Sequence, residues 1–373
     1  MKCRILYLIG QLHSGGSERQ LYYLLAAMDR SLYRPAVAVW NFRESDVYVP
    51  RIRDLGVAIH SFQGANSAIA KLRAMRCLVE QLQVEIVHSF TFYLNIAADL
   101  STRGTQAIAL GSMRSALEMD KKVSGWLLGK LSARWPHYQI YNSYEAAKYK
   151  SRSTSLFLPK RVFVVQNGID LQYFSLTRQQ TIKPVRIVAI GSLVSVKRWD
   201  RLLSATAALK GRKLDFSVEI AGDGPLRTSL EQQVQELGIS DRVTFRGYTD
   251  DIPALLSQAA FLVHTSDAEG SPNTVMEAMA CGRAVVSTDV GDVSSLIDNG
   301  TTGFVVRRGD DAMLIERMAT LIGDSDLCSR MGEASHAKAQ REFELDRFVS
   351  DTFAVYRAAG WTVALPGKNG FEV

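Results

Sequence analysis

Short apolar runs recur along the chain at residues 5–9, 36–40, 57–60, 85–88, 108–110, 139–141 and 162–165, and most of the stretches between them carry helical periodicity. Apolar runs of this length read as strands buried on both faces, and strands that alternate with helices imply a parallel sheet covered on both sides. The pattern restarts at 186–190 and continues through 216–220, 243–245, 260–263, 284–287 and 304–306. The two series open alike. The first run leads into Gly10 and the loop Ser14-Gly15-Gly16-Ser17 before a helical stretch over 18–28; the run 186–190 leads into Gly191 and a helix over about 198–209.

A chain of 373 residues exceeds one ordinary core, so two domains are expected. The polar stretch 171–184 lacks apolar periodicity and ends at Pro184, which places the linker there. The last periodic segment, 346–359, carries Phe348, Phe353 and Tyr356 and is expected to cross back onto the first domain. The expected division is therefore 1–170, 171–345, and 346–373 as a returning helix plus tail. The expected fold class is α/β, with two Rossmann-like doubly wound domains facing across a cleft, since open α/β sheets bind ligands beyond the carboxyl ends of their strands.

Composition narrows the classes. With 47% hydrophobic and 22% charged residues the chain is neither disordered nor collagen-like. Cys3, Cys77, Cys281 and Cys328 are scattered and form no CxxC pair, so neither a zinc site nor a disulfide framework is suggested and a reducing, cytoplasmic location is expected. The run 5–9 behind Lys2 and Arg4 is too short for a leader and enters a glycine loop, and no stretch approaches the roughly 18–20 apolar residues of a membrane span. Residues 1–170 hold 22 Lys+Arg against 12 Asp+Glu, a balance of +10; the remainder of the 44 and 38 is 22 against 26, or −4. The basic half could face a phospholipid surface, a lipid diphosphate or a nucleic acid, or be solvated without a partner. No nucleic-acid motif with aromatic stacking positions organises those residues, so a nucleic-acid partner is not expected.

The most informative segment is Glu269-Gly-Ser-Pro-Asn-Thr-Val-Met-Glu277, followed by Ala-Met-Ala-Cys-Gly282. Glu269 is expected in a loop after a buried strand, and Asn273-Thr274 at the start of a helix with Glu277 in its first turn. Helix-start N–H groups suit a diphosphate, and two flanking carboxylates can accept hydrogen bonds from sugar hydroxyls. The plainer alternative makes Glu269 a surface loop residue and Glu277 a helix-start charge.

At these residues the chain resembles the large family of retaining, family 4-like glycosyltransferases that includes glycogen and sucrose synthases and many bacterial envelope enzymes. The family's mark is a Glu, seven residues, then a Glu. Further pieces resemble it in order: Gly15-Gly16, Asn167-Gly168-Ile169-Asp170, Gly191…Lys197, Ala221-Gly222-Asp223-Gly224-Pro225 and Gly291-Asp292. The resemblance implies the GT-B architecture, with a nucleotide sugar as substrate and neither cofactor nor metal. It implies that Glu277 holds the donor ribose, that Glu269 contacts the transferred sugar, and that Lys197 neutralises the departing diphosphate with helix-start amides of Asn273, Thr274 and Val275. Lys197 and Glu269 are thus the catalytic candidates. Gly15, Gly16 and Gly191 are expected to let backbone approach the donor.

Two departures stand out. The family commonly has Gly-Arg-Leu where this chain has Gly191-Ser192-Leu193, and Arg198 is the candidate to replace the absent cation. The family's late first-domain histidine is also missing: the stretch reads Gly111-Ser112-Met113-Arg114-Ser115, which makes Arg114 and His88 candidates for acceptor or sugar contact, with a surface arginine and a backbone-satisfied core histidine as the plainer readings. Asp324-Ser325-Asp326 imitates a metal-binding Asp-x-Asp but is read as a helix start. Residues 121–135 set Val123, Leu127, Leu131 and Trp135 among Lys121, Lys122, Lys130 and Arg134. With Lys71, Arg73 and Arg76 this could contact the inner leaflet of a membrane, or simply cover the first sheet.

The leading expectation is transfer of a hexose or N-acetylhexosamine, with retention, from a UDP- or GDP-sugar to a saccharide acceptor, lipid-linked in envelope polysaccharide or glycolipid synthesis. A sugar-nucleotide epimerase of the same architecture is the second reading. A non-catalytic nucleotide-sugar-binding partner, suggested by Ser192, is the third.

Overall fold

The computed structural model describes residues 3–114, 125–152, 157–177 and 183–362. The chain divides into two units, Met1–Gln166 with Asp346–Val373, and Asn167–Leu345. The first is built on seven strands: β1 (Cys3–Ile9), β2 (Tyr33–Val39), β3 (Ala58–Ser61), β4 (Ile86–Ser89), β5 (Ile108–Met113), β6 (Tyr138–Tyr141) and β7 (Arg161–Val164). The second is built on six: β8 (Val185–Ile190), β9 (Phe216–Ala221), β10 (Val243–Gly247), β11 (Phe261–His264), β12 (Ala284–Thr288) and β13 (Gly303–Val306). Their orders are β3-β2-β1-β4-β5-β6-β7 and β10-β9-β8-β11-β12-β13. Every pairing is parallel. Each sheet starts at its centre, runs outward, then returns to the other side of its first strand, so both are doubly wound as expected.

Side chains alternate across a strand, so β1 serves two cores at once. Ile5, Tyr7 and Ile9 enter one, with the helix Gly16–Ala27 and the C-terminal helix Leu345–Ala358. Leu6 and Leu8 enter the other, under the helices Ala68–Gln81 and Asn95–Thr102. In the second unit Ile187 and Ala189 face one core and Val188 the opposite one.

The C-terminal helix is a working part of the first unit. Phe353 stacks on Tyr33 with ring centroids 4.0 Å apart, and the fully buried Tyr356 hydroxyl lies 2.7 Å from His88 Nδ1 and 3.3 Å from Tyr7 Oη.

The linker expected over 171–184 is corrected. The boundary between units falls at Gln166/Asn167, and the described part of that stretch is packed into the second unit. Phe174 is buried in its core, Tyr173 donates to Asp250 O at 3.0 Å, and Thr177 meets the buried Arg283. Ile169 forms a bridge with Glu344, which explains why 167–170 belong with the second unit. Two aromatic anchors in a polar stretch leave no periodicity to read.

Candidate functional site

A doubly wound sheet has one place where adjacent strands send their chains in opposite directions, and the loops there part to leave a crevice. In the second unit it lies between β8 and β11. The loop after β8 leads through Gly191 to a single 3-10 turn, Ser195–Lys197, with Arg198 in a left-handed conformation at φ 52°. The loop after β11 runs from Thr265 to the helix Asn273–Ala280.

The two loops are stitched together. Thr265 Oγ1 donates to Lys197 O at 2.9 Å and Asp267 N to Val196 O at 2.8 Å. The Asp267 carboxylate accepts from Arg198 Nη1 at 2.8 Å and from Arg201 Nη2 at 3.2 Å. This brings Lys197 Nζ to 2.6 Å from Glu269 Oε1, both side chains largely buried. The same oxygen accepts from Ser266 Oγ at 2.7 Å and lies 3.2 Å from His264 Nε2. Burial pushes the Glu269 carboxyl up, but Lys197 and His264 more than reverse this and hold it far below the usual carboxylate range. Burial pushes His264 down. The site therefore presents a fixed anion against a fixed cation, in a place shielded from water.

Glycines close this frame. Gly291, in a left-handed conformation at φ 55°, packs so tightly on the loop that a Cβ would collide with Gly270 O and come within 2.6 Å of Glu269 O; Asp292 N donates to Gly270 O at 2.9 Å. Gly222 likewise lies where a Cβ would strike Gly191 O, so the glycine turn after β8 needs a second glycine beside it.

Glu277 differs from its expected place. It is the fifth residue of the helix Asn273–Ala280, beyond the first turn, and is 0% exposed. Pro272 occupies the cap and the helix starts at Asn273 as expected, so Glu277 falls one residue past the first turn, on a buried face. An exposed helix-start charge is thereby excluded. Of the three amides assigned to the diphosphate, Val275 N is already bonded to Pro272 O at 3.2 Å. Asn273 and Thr274 are half-buried, and Asn273 Oδ1 accepts from Asn167 Nδ2 at 2.7 Å.

Arg198 does not lean toward Ser192. Its guanidinium is bound to Asp200 at 2.9 Å and to Asp267 at 2.8 Å, because the left-handed residue turns its side chain onto those carboxylates. Ser192 itself is exposed, and its carbonyl accepts from Trp199 Nε1 at 3.0 Å.

In the first unit Gly15 caps the helix Gly16–Ala27. Its missing side chain leaves room for the Glu18 carboxylate, which a Cβ there would meet. Burial raises the Glu18 carboxyl to about 7; its own backbone N–H opposes this and Asp46 adds to it. His88 is a fully buried core residue satisfied by side chains instead of backbone: Nδ1 faces Tyr356 and Nε2 lies 2.9 Å from Ser112 Oγ. Burial first, then Arg114, pushes its pKa well down. The Arg114 guanidinium lies over the Phe90 ring at 4.0 Å, and burial lowers it to about 10 against the pull of Tyr356. A plain surface arginine is excluded.

Asp324 serves as a helix cap, its Oδ1 accepting from Leu327 N at 2.8 Å. Among the described residues no group of three or more His, Cys, Asp or Glu is placed to hold a metal, and no helix is long and apolar enough to cross a membrane. Lys121, Lys122 and Val123 lie outside the described residues. Lys71 donates to Trp40 O at 2.6 Å, and Arg76 to Arg103 O.

Sequence reasoning missed His264, Ser266, Asp267 and Arg201, and gave Asn167 no role. The available signal was position, since 264–267 follow the carboxyl end of a buried central strand.

The family model described as Glycosyl transferases group 1 matches residues 177–338, most of the second unit. The chain is 27% identical over 215 residues to N-acetyl-alpha-D-glucosaminyl L-malate synthase of Bacillus anthracis, a match covering 57% of this chain and 54% of that one. It is 30% identical over 176 residues to alpha-D-kanosaminyltransferase of Streptomyces kanamyceticus, covering 47% and 46%. The chain thus spans about half the length of the curated relatives it matches. HepE of Anabaena, crystallised in complex with UDP-glucose, superposes with a TM-score of 0.81 at 18% identity, covering 95% of this chain and 99% of that one. Sucrose-phosphate synthase of Thermosynechococcus elongatus gives 0.79 at 18%, covering 96% and 99%. At such identities the likeness is one of fold.

Proposed function

We propose, from the premise that this chain belongs to the glycosyl transferases group 1 family, that it moves a hexose or N-acetylhexosamine from a UDP- or GDP-sugar to a saccharide acceptor, with retention of configuration. The observation that carries this reading is the Lys197–Glu269 pair at the switch point of the second sheet, followed in the chain by the helix that buries Glu277. A diphosphate leaving group needs its growing charge stabilised, and a preorganised cation with helix-start N–H groups supplies that in a site shielded from water. Lys197 takes this part; Glu269 accepts from hydroxyls of the transferred sugar, and Glu277 from the ribose. No cofactor or metal enters the reading. The complex of HepE with UDP-glucose supports a nucleotide sugar as the donor.

The acceptor is proposed to be lipid-linked, in envelope polysaccharide or glycolipid synthesis, with the first unit working against the inner leaflet. Its excess of basic residues supports this, as do Leu127 at 61% and Leu128 at 38% exposure on the helix Trp126–Arg134, which also carries Lys130. Basic groups beside exposed leucines suit an anionic interface.

The test is a thermal-shift panel of nucleotide sugars, followed by transfer assays with the stabilising donor and a membrane lipid extract, the product anomer being read by NMR. Stabilisation by one donor and extract-dependent transfer with retention are expected. Donor conversion that needs no acceptor, or the absence of a shift with every donor, sinks the reading.

A further inference from the structure

Three groups converge on a single oxygen of Glu269. Lys197 Nζ lies 2.6 Å from Oε1, Ser266 Oγ 2.7 Å and His264 Nε2 3.2 Å, while Oε2 receives none of these bonds. Counting protons fixes how the ring takes part. Register pairs His264 with Ser287 across β11 and β12, and His264 Nδ1 lies 2.9 Å from Ser287 Oγ. The Ser287 hydroxyl has a second acceptor in reach, Thr288 O at 3.0 Å. If its proton went there, Nδ1 would have to donate; Ser266 Oγ, 3.1 Å from Nε2, would have to give up its shorter 2.7 Å bond to Oε1 to serve the ring, and the Nε2 lone pair would still lie against a carboxylate oxygen. That contact is repulsive. With the Ser287 proton on Nδ1, Nε2–H donates to Oε1, Ser266 donates to the same oxygen, and every group is satisfied. Burial of the ring favours the neutral form this arrangement requires.

We infer that His264 is a positioning residue, which accepts from Ser287, donates from Nε2–H to Glu269 Oε1, and so turns Oε2 toward a hydroxyl of the transferred sugar. The inference rests on the reading of Glu269 as a sugar contact. Lys197 alone cannot set that orientation, since an ammonium group is a point charge on a flexible stem. The planar ring, anchored at both nitrogens between two strand ends, can. Thr288 Oγ1, which donates to Ser266 O at 2.6 Å, holds the intervening loop from the same strand.

Two measurements on the full chain test it. In 15N-histidine-labelled protein, the resonance that disappears in His264→Gln is expected to report the Nε2–H tautomer at pH 7.5; the Nδ1–H tautomer overturns the assignment. The second compares His264→Gln with His264→Asn during turnover of whichever of UDP-glucose, UDP-N-acetylglucosamine and GDP-mannose the wild type consumes fastest. The Gln amide reaches the Nε2 position, and its kcat is expected within about threefold of wild type. The Asn amide reaches only the Nδ1 position, and a displaced carboxylate is expected to lower kcat roughly 10- to 100-fold with donor KM little changed. Equal kcat in the two variants, or a loss confined to KM, overturns the positioning role. A Glu269→Gln variant with undiminished turnover, or a wild type that consumes none of the three, sinks the functional reading itself. In either case the tautomer still decides the hydrogen bond.

Discussion

Lys197 Nζ and Glu269 Oε1, 72 residues apart in the chain, lie 2.6 Å from each other. On the proposed reading, a leaving diphosphate that draws on Lys197 would compete with this carboxylate, which holds the ammonium in place in advance. Lys197→Met is expected to lower turnover by about 10²–10³-fold. The check is single-turnover kinetics with the donor that stabilises the wild type; a loss under about threefold contradicts the role.

Glu277 is enclosed and carries the ribose assignment. Glu277→Gln keeps the volume while removing the charge, and is expected to abolish most of the donor-induced rise in Tm. A calorimetric titration alongside the melt separates lost binding from lost fold, and an undiminished shift removes the assignment.

Gly291 holds the Glu269 loop by close approach. Gly291→Ala adds both a left-handed strain and a collision with Gly270 O, together costing about 2–4 kcal/mol. Denaturant melts of the variant are expected to show that loss, with donor turnover falling further than stability alone accounts for.

Glu18 makes the stability of the first unit depend on pH. Its carboxyl is raised from 4.5 to about 7 by burial, so the folded chain holds a proton that the unfolded chain releases. The stabilisation is complete below pH 4.5 and is lost as pH rises to 7. Glu18→Gln is therefore expected to match wild type near pH 5 and to exceed it at pH 8 by on the order of 1–3 kcal/mol. Parallel melts at the two pH values decide it; equal differences at both contradict the buried-carboxyl account.

The two sheets were legible because their inner strands, buried on both faces, read as apolar runs and the edge strands β3, β7 and β10, though more exposed, keep apolar residues; each expected run overlaps one of β1 to β13. The acidic pair was legible through spacing. What surrounds it was not: His264 meets Ser287 only through strand register, and Asp267 meets Arg201 only because the loop after β11 folds against the start of the helix Trp199–Gly211. The linker was misplaced for a related reason, since Phe174 is anchored by residues distant in sequence. The pairing of Arg198 with Asp200 and Asp267 was not legible, because a left-handed backbone at one residue redirects a side chain and composition carries no trace of that.

The insertion of Phe353 and Tyr356 into the core built on β1 sets a timetable for the nascent chain. The unit built on β1 is completed only after the whole intervening stretch Asn167–Leu345 has been made, because its central buried hydroxyl contacts wait for Tyr356. Until then its apolar groove stays open, and truncation before the C-terminal helix leaves it a candidate for chaperones or for aggregation.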